Sequence, residues 1–383
     1  MMFDLVILGG GVAGTTAALL AVEKGLRTAL VSDKPWGGVC LHEGCIPAKV
    51  CLENTFSDMA SLSAFRQKTV DTLYAGLRYT LEESAVELFT GHGVYTKEKG
   101  ERFTVQVGEQ TLYSETLLLA TGALPVTLPD TLTPEDIFSA QALPQSAVIF
   151  GGGAAGLETA SYLCKMGTSV TVVEQSERLL PQADPDISQA LLRGLRRRGV
   201  TVRLGTRADR TAYDAEAFIC AMGRRSAPYT PTDGLYVIGD ALGHHCTAHA
   251  AMREAECAVR RICGKTDTVD YNSIPNVVFC DPQCAWVGTT SPQAATVSLK
   301  SVGGYLASGG DGTGLLKLFA ASDGTVCGMQ ICGGNAAELI GIGALAVGGR
   351  LPVSMLSQTV FAHPTVSEAI RTAANRLLKG GQP

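Results

Sequence analysis

Two cysteines at a short spacing, Cys40 and Cys45, are the residues of this sequence best suited to electron transfer. Two thiols can store or release a pair of electrons by opening or closing a disulfide. Residues five apart in a regular helix lie about 7.5 Å apart along its axis, beyond the usual Cα separation in a disulfide of about 4.4 to 6.8 Å. A bridge therefore requires a distorted turn, which Gly44 would allow. A thiolate at a helix start near Lys49 would have a lowered pKa, as in a reactive couple. The alternative is that the two cysteines are separate buried thiols.

The remaining cysteines, of twelve in the chain, indicate no second reactive centre. Seven are scattered singly and are expected to be small buried hydrophobes, as free thiols are in a reducing compartment: Cys51, Cys164, Cys220, Cys257, Cys263, Cys327 and Cys332. A zinc site needs paired short spacings. None of the other candidates has the spacing of a structural site together with a matching second half: they are Cys246, Cys280, Cys284, His244, His245 and His249. No metal is expected.

An internal repeat predicts the elements that surround the cysteine segment. Residues 5–14 match 147–156 without a gap, and both copies continue through an alanine-rich helix to a glycine and a second apolar strand. Each copy reads strand, G-x-G-x-x-G, helix, strand, which is the fingerprint of dinucleotide binding. The glycines are Gly9, Gly11 and Gly14 in the first copy and Gly151, Gly153 and Gly156 in the second.

These glycines have separate tasks. The first makes a tight turn, the second lets the backbone approach a pyrophosphate, and the third lets helix and strand pack closely. The pyrophosphate then lies at the helix N-terminus, where N–H groups and the helix dipole favour negative charge. One such motif is weak evidence, but two in register predict two dinucleotides, one a bound flavin and the other a nicotinamide.

The residue that ends the second strand of each copy should bind a ribose hydroxyl. In the second copy it is Glu174, whose carboxylate would repel a 2′-phosphate, so NAD is expected rather than NADP. In the first copy the equivalent residue is Ser32, followed by Asp33. Either Asp33 takes the role or the ribose contact is weaker, and FAD is expected to bind in both cases.

The segment G-G-V-C-L-H-E-G-C-I-P-A-K at 37–49 closely resembles the signature G-G-T-C-L-N-x-G-C-I-P-S-K of the pyridine nucleotide-disulfide oxidoreductases. It is most similar to the members that oxidise dihydrolipoamide. The resemblance spans nearly the whole chain, with further motifs at 120–123, 223–225, 236–240, 285–288 and 361–368.

The resemblance implies a role for each matched residue. Cys40 would exchange with the substrate, and Cys45 would be the thiolate against the flavin. His363 would be the general base, oriented by Glu368 and acting on Cys40 of the partner chain. Lys49 would lie near the flavin and pair with Glu158. The implied cofactor-binding residues are Gly9, Gly11, Gly14, Asp33, Lys49, Thr121, Gly122 and Asp240 for FAD, and Gly151, Gly153, Gly156, Glu158 and Glu174 for NAD.

Several family features are missing. The chain is shorter than usual members by several tens of residues, with deletions after Val202, between 225 and Gly234, and around 298–314. Ser226 replaces a proline, Phe361 replaces the first histidine of the C-terminal motif, and Val39 replaces a threonine. The shortening spares the predicted flavin site and falls on the predicted NAD and interface regions.

Composition excludes some classes of partner. The net charge of −5 does not favour nucleic acid or an anionic membrane. The arginines at 193 and 196–198 are interpreted as a solvated helix end. No segment reaches the roughly 18 to 20 apolar residues of a membrane span. The first residues carry Asp4 and no basic leader, so a cytoplasmic protein is expected.

These patterns predict an α/β fold with two Rossmann-like domains and a C-terminal α+β interface domain. The expected segments are 1–145 for FAD and the redox pair, 146–225 for NAD, 226–268 returning to the FAD domain, and 269–383 forming the interface of a homodimer. The implied reaction oxidises dihydrolipoamide, carried on the lipoyl domain of a 2-oxoacid dehydrogenase or glycine cleavage complex, with reduction of NAD⁺. The alternatives are another disulfide reductase of the family, or a shortened FAD-binding structural subunit.

Overall fold

The computed structural model describes residues 1–97 and 102–380. Its strands are β1 (Met2–Leu8), β2 (Thr28–Ser32), β3 (Glu87–Thr90), β4 (Gly93–Thr96), β5 (Phe103–Val107), β6 (Gln110–Leu119), β7 (Ala123–Pro125), β8 (Ser146–Phe150), β9 (Ser169–Val173), β10 (Thr201–Arg203), β11 (Ala217–Cys220), β12 (Arg224–Ser226), β13 (Leu235–Val237), β14 (Asn276–Val278), β15 (Cys284–Gly288), β16 (Ala294–Ser298), β17 (Leu315–Ala320) and β18 (Val326–Cys332). Its helices are α1 (Val12–Glu23), α2 (Gly38–His42), α3 (Cys45–Glu53), α4 (Met59–Glu82), α5 (Pro134–Ser139), α6 (Ala154–Lys165), α7 (Pro185–Arg197), α8 (Ala248–Ile262), α9 (Gly303–Ala307), α10 (Ala336–Gly348), α11 (Val353–Gln358) and α12 (Glu368–Leu378).

The described chain forms two compact units. Unit 1 comprises Met1–Val126 and Arg224–Val269, and unit 2 comprises Thr127–Gly223 and Asp270–Pro383. The second glycine-motif copy and the C-terminal region therefore fall in the same unit. The finer boundaries expected from the sequence, near 146 and 269, stay a prediction.

The sheet of unit 1 has the strand order β3-β2-β1-β6-β5-β4, and β13 pairs with β6. Strands β1, β2, β3, β6 and β13 are parallel, whereas β4 and β5 form an antiparallel extension. Leu5 and Ile7 of β1 join one buried cluster, and Val6 and Leu8 join another, so alternate residues serve the two faces. Helix α1 packs against α8 on the first face, where alanines of both helices permit close approach.

Unit 2 contains a smaller parallel sheet in the order β10-β9-β8-β11. This order corresponds to β3-β2-β1-β6 of unit 1. The described segment between β10 and β11 contains only one short 3₁₀ turn, Arg210–Ala212, and no counterpart of β4 and β5. The second copy is thus a reduced version of the first.

The C-terminal part of unit 2 is an antiparallel sheet in the order β14-β15-β18-β17-β16. Helices α10 and α12 pack against it and share its buried apolar cluster. The α/β class, with two Rossmann-like sheets and a C-terminal α+β region, is confirmed.

Candidate redox site and dinucleotide loops

The cysteine segment forms two short helices that are broken between the cysteines. Helix α2 ends at His42 and α3 begins at Cys45, and a disulfide joins Cys40 to Cys45 with a Cα–Cα distance of 4.6 Å. The N–H groups of Glu43 and Gly44 both donate to the carbonyl of Val39, at 2.9 and 2.7 Å. The distorted turn expected from the spacing is confirmed.

Glycines hold this segment against the first dinucleotide loop. The N–H of Gly37 donates to the carbonyl of Gly10 at 2.7 Å. Gly37 and Gly38 have φ values of 100° and 58°, which favour glycine. A Cβ on Gly38 would lie 2.8 Å from the Cα of Gly11. The redox turn and the first glycine motif are therefore built as one site.

The first glycine motif has the close contacts that its sequence predicts. A Cβ on Gly9 would lie 2.2 Å from the carbonyl oxygen of Ala120, and one on Gly14 would lie 1.9 Å from that of Gly9. A Cβ on Gly11, at the start of α1, would meet no protein atom within 4 Å, and no side chain caps this helix. The space beside Gly11 and the uncapped helix start fit a phosphate group.

The second motif repeats this geometry in unit 2. A Cβ on Gly151 would lie 2.4 Å from the carbonyl oxygen of Ala221, and one on Gly156 would lie 2.0 Å from that of Gly151. Gly153 directly precedes α6, whose first turn has no side-chain cap, and a Cβ on Gly153 would meet no protein atom within 4 Å. The residues present thus fit a second dinucleotide.

The two copies differ at the position that should bind ribose. Strand pairing places Val31 beside Leu8 and Val173 beside Phe150, so Ser32 and Glu174 are equivalent. Glu174 accepts hydrogen bonds from Gly152 N at 2.6 Å and Ser176 N at 2.7 Å, which fix its carboxylate beside the glycine loop.

The first copy has no carboxylate at this position. The hydroxyl of Ser32 donates to the carbonyl of Lys34 at 2.9 Å. Asp33 is exposed and contacts Nδ1 of His92 at 3.0 Å. A ribose contact by Asp33 stays a prediction.

Other predicted flavin-site residues meet in unit 1 near the end of β6. Thr121 and Gly122 follow this strand, and Gly122 has a φ of 72°. Arg224 donates from Nη2 to the carbonyl of Ala123 at 2.6 Å, and its Nε lies 3.7 Å from Oδ2 of Asp240. Burial raises the pKa of the Asp240 carboxyl, and the charge of Arg224 opposes that shift.

Sequence reasoning missed Glu254, which is buried on α8 with 3% of its surface exposed. Its Oε2 accepts a hydrogen bond from Gly239 N at 2.6 Å and so fixes the turn that carries Asp240. Ala251, Ala255 and Ala258 mark the apolar stripe of this helix. A glutamate at helical spacing within that stripe was the available signal.

Lys49 and Glu158 were expected to pair. Nζ of Lys49 lies 3.2 Å from Oε1 of Glu53, one turn along α3. Oε1 of Glu158 accepts a hydrogen bond from Phe279 N at 2.9 Å. The Lys49–Glu158 pair stays a prediction.

The predicted base and its carboxylate do contact each other in unit 2. Nδ1 of His363 lies 3.0 and 3.2 Å from the two carboxylate oxygens of Glu368, and the His363–Pro364 peptide is cis. The hydrogen bond from His363, and another from Thr365 N, lower the pKa of Glu368. Because Nδ1–H donates to the carboxylate, the neutral ring has its lone pair on Nε2. The His363 side chain is 80% exposed.

The free cysteines range from buried to exposed. Cys284 is fully buried, and contacts with Cys280 and Cys332 together with burial raise the pKa of its thiol. The expectation of burial is wrong for Cys263, which caps the end of α8 and is exposed. Among the described residues, no group of three or more His, Cys, Asp or Glu is arranged to hold a metal ion. None of the described helices is long and apolar enough to cross a membrane.

Comparisons with known proteins cover most of the chain. A family model described as pyridine nucleotide-disulphide oxidoreductase matches residues 3–227, and the dimerisation-domain model of the same description matches 274–374. Dihydrolipoyl dehydrogenases of Chlorobaculum tepidum and Chlorobaculum parvum are 30% and 31% identical to the chain, over 97% of it and 96% of each relative.

Solved structures share the fold. LpdA from Mycobacterium tuberculosis has a TM-score of 0.88 and 23% identity, covering 97% of this chain and 99% of that one. A Cu(II) complex of the HOCl-induced flavoprotein disulfide reductase RclA from Escherichia coli has a TM-score of 0.87 and 22% identity, covering 98% and 99%.

Proposed function

Because the chain belongs to the pyridine nucleotide-disulphide oxidoreductase family, we propose that it oxidises dihydrolipoamide to lipoamide and reduces NAD⁺. Family members bind FAD and NAD(H). The observation that carries the proposal is the Cys40–Cys45 disulfide, which lies in a turn fixed to the first dinucleotide loop. Similarity to dihydrolipoyl dehydrogenases over nearly the whole chain supports this substrate.

Both dinucleotides have residues suited to hold them. Gly9, Gly11, Gly14, Asp33, Lys49, Thr121, Gly122 and Asp240 are proposed for FAD, and Gly151, Gly153, Gly156, Glu158 and Glu174 are proposed for NAD. When bound, FAD supplies the chemistry that passes an electron pair from a dithiol to a nicotinamide.

The chain's own residues carry out the thiol exchange. A substrate thiolate attacks Sγ of Cys40, the Cys40–Cys45 bond breaks, and Cys45 leaves as a thiolate. The second substrate thiol then attacks the mixed disulfide, which releases lipoamide and leaves Cys40 reduced. Two electrons thus pass from the dihydrolipoamide to the cysteine pair. Cys45 is suited to leave because it is the first residue of α3, where the helix dipole stabilises a thiolate.

The exchange also requires proton transfer. We assign it to Nε2 of His363, which takes the proton of the incoming thiol while Glu368 holds Nδ1. The dimerisation-domain match at 274–374 supports a homodimer, in which His363 is proposed to serve Cys40 of the other chain. The physiological substrate is proposed to be a lipoyl domain of a 2-oxoacid dehydrogenase or glycine cleavage complex in the cytoplasm.

The test is an anaerobic titration of the purified protein, followed by flavin absorbance. Both NADH and dihydrolipoamide should reduce the bound FAD, and lipoamide should reoxidise it. Reduction by NADH, combined with turnover of another low-molecular-weight disulfide but not lipoamide, would favour a different reductase of the family. A protein that binds FAD but turns over neither would favour a structural subunit.

Glu174 should set the choice between NAD and NADP. We expect NAD to be preferred at least about tenfold in kcat/KM, roughly 1.4 kcal/mol, because the fixed carboxylate repels a 2′-phosphate. Glu174→Ala should reduce the difference in kcat/KM between NAD and NADP. The control is Glu177→Ala, which removes an exposed acid three residues away and should leave the preference unchanged. Equal efficiency with both cofactors in the unsubstituted protein would contradict the assignment.

Gly153 should be needed for the nicotinamide dinucleotide but not for folding. Its φ of −83° and ψ of −174° are accessible to valine, and no protein atom obstructs an added Cβ. The valine side chain would instead occupy the space assigned to the pyrophosphate. Gly153→Val should therefore weaken NADH binding at least about tenfold, with FAD content and melting temperature unchanged. An unaltered NADH affinity would show that the second glycine motif does not bind the nicotinamide dinucleotide.

A further inference from the structure

His42 lies between the two cysteines in the sequence and is the last residue of α2. Its side chain reaches back across α2 to Trp36, six residues earlier. Its Nε2 is 2.9 Å from the carbonyl oxygen of Trp36. A carbonyl can only accept, so Nε2 carries the proton and donates it. We infer that His42 is a positioning residue that holds the redox turn closed and thereby sets the reduction potential of the Cys40–Cys45 pair.

The turn needs such an anchor because its own backbone restrains it weakly. Helix α2 has five residues, little more than one turn, and helices of this length are not stable by themselves. At its end the two N–H groups of Glu43 and Gly44 share the single carbonyl of Val39. A side-chain hydrogen bond from the last residue of α2 therefore adds a restraint where the backbone provides little.

Two fixed groups hold the imidazole ring. Tyr74 of the long helix α4 packs edge-to-face against it, with ring centroids 5.2 Å apart. Trp36 is 9% exposed and belongs to the buried cluster beneath β1. A Cβ on Gly10 would lie 2.6 Å from the Trp36 ring, so this residue is packed directly against the dinucleotide loop. The hydrogen bond of His42 is therefore made to a residue that is fixed by packing.

The direction of the effect follows from what the restraint does to each redox state. If the hydrogen bond from His42 to Trp36 is kept in the dithiol form, it holds the two sulfurs near each other and lowers the entropy lost when the disulfide closes. If it forms only in the disulfide form, it stabilises that form directly. In both cases its removal favours the dithiol, so the pair should become easier to reduce.

Two substitutions separate the hydrogen bond from the ring. His42→Phe keeps an aromatic ring against Tyr74 but removes the donor. His42→Gln places an amide N–H near the position of Nε2 and should restore the bond. We expect His42→Phe to lower the equilibrium constant for closing the disulfide by about three- to tenfold, where tenfold corresponds to about 30 mV, and His42→Gln to stay within about twofold of the unsubstituted protein.

The measurement uses the FAD-loaded protein equilibrated in mixtures of reduced and oxidised dithiothreitol. Acid quenching, alkylation and mass spectrometry of the 37–49 segment then give the dithiol fraction. No lipoamide is involved, so the result does not depend on whether the proposed substrate is correct. An unchanged equilibrium in His42→Phe, or an equal shift in His42→Gln, would overturn the inference.

A further variant covers the case in which His42→Phe does not fold. Tyr74→Leu removes the edge-to-face contact but leaves the hydrogen bond and the redox turn sequence intact. It should lower the closure constant in the same direction by about twofold, because it removes the aromatic contact that orients the ring but leaves the hydrogen bond in place. A shift toward the disulfide, or none, would contradict the assigned role.

Discussion

Replacing His363 with glutamine should slow dihydrolipoamide oxidation at least about a hundredfold, while NADH should still reduce the bound FAD. Glutamine can fill similar space but cannot take a proton from a thiol at neutral pH. The reduction by NADH requires no thiol proton transfer from the substrate. Stopped-flow absorbance of the two half-reactions distinguishes these steps. Glu368→Gln should have a smaller effect in the same half-reaction, since it removes the charged partner of Nδ1 but leaves the base.

Mixed dimers test where this base acts. One chain would carry His363→Gln and the other Cys40→Ser, so that each chain lacks one part of the exchange machinery. If His363 serves the other chain, one working site remains in each mixed dimer, although the His363→Gln homodimer is slow and the Cys40→Ser homodimer is inactive. A mixed dimer without activity, once its composition is verified, would show that the base acts within its own chain or is another residue.

Cys40→Ser and Cys45→Ser should each abolish dihydrolipoamide oxidation, but with different absorbance spectra. Neither variant can close the disulfide that accepts the electron pair. Cys45 is the first residue of α3, where a helix N-terminus favours a thiolate, whereas Cys40 is the third residue of the five-residue helix α2. Cys40→Ser should therefore keep a long-wavelength charge-transfer band with the flavin, and Cys45→Ser should lack it.

The control for the cysteine variants is Cys263→Ser, because this thiol is exposed in the same unit. It should retain full activity and the spectrum of the unsubstituted protein. Identical spectra from Cys40→Ser and Cys45→Ser would contradict the separate roles. A charge-transfer band in Cys45→Ser alone would show that the roles of Cys40 and Cys45 are the reverse of those proposed.

The sequence predicts the local features of this site well because they depend on backbone sterics. The glycine motifs predict contacts that no larger residue permits, such as Gly14 against the carbonyl of Gly9. The five-residue spacing predicts a broken helix between Cys40 and Cys45 by geometry alone. Both features follow from short-range rules and are present in the structure.

Features that depend on distant contacts were not accessible in this way. Glu254 reaches Gly239 fifteen residues earlier in the chain, and the alanine pattern of α8 alone does not identify its partner. The anchor of His42 is a backbone carbonyl, which has no signature in the sequence. The contact of Asp33 with His92 likewise joins two strand ends that only the folded sheet brings together.

The interruption of unit 1 by unit 2 has a consequence for biosynthesis. Strand β13 pairs with Leu117–Leu119 of β6, yet the whole of 127–223 must be synthesised before β13 leaves the ribosome. The four strands β8–β11 lie within that inserted segment and can pair with one another first. Docking of β13 closes a long loop and is therefore a late step with a large chain-entropy cost. Until then the nascent chain carries an open, leucine-rich strand edge, the kind of surface on which newly made chains aggregate.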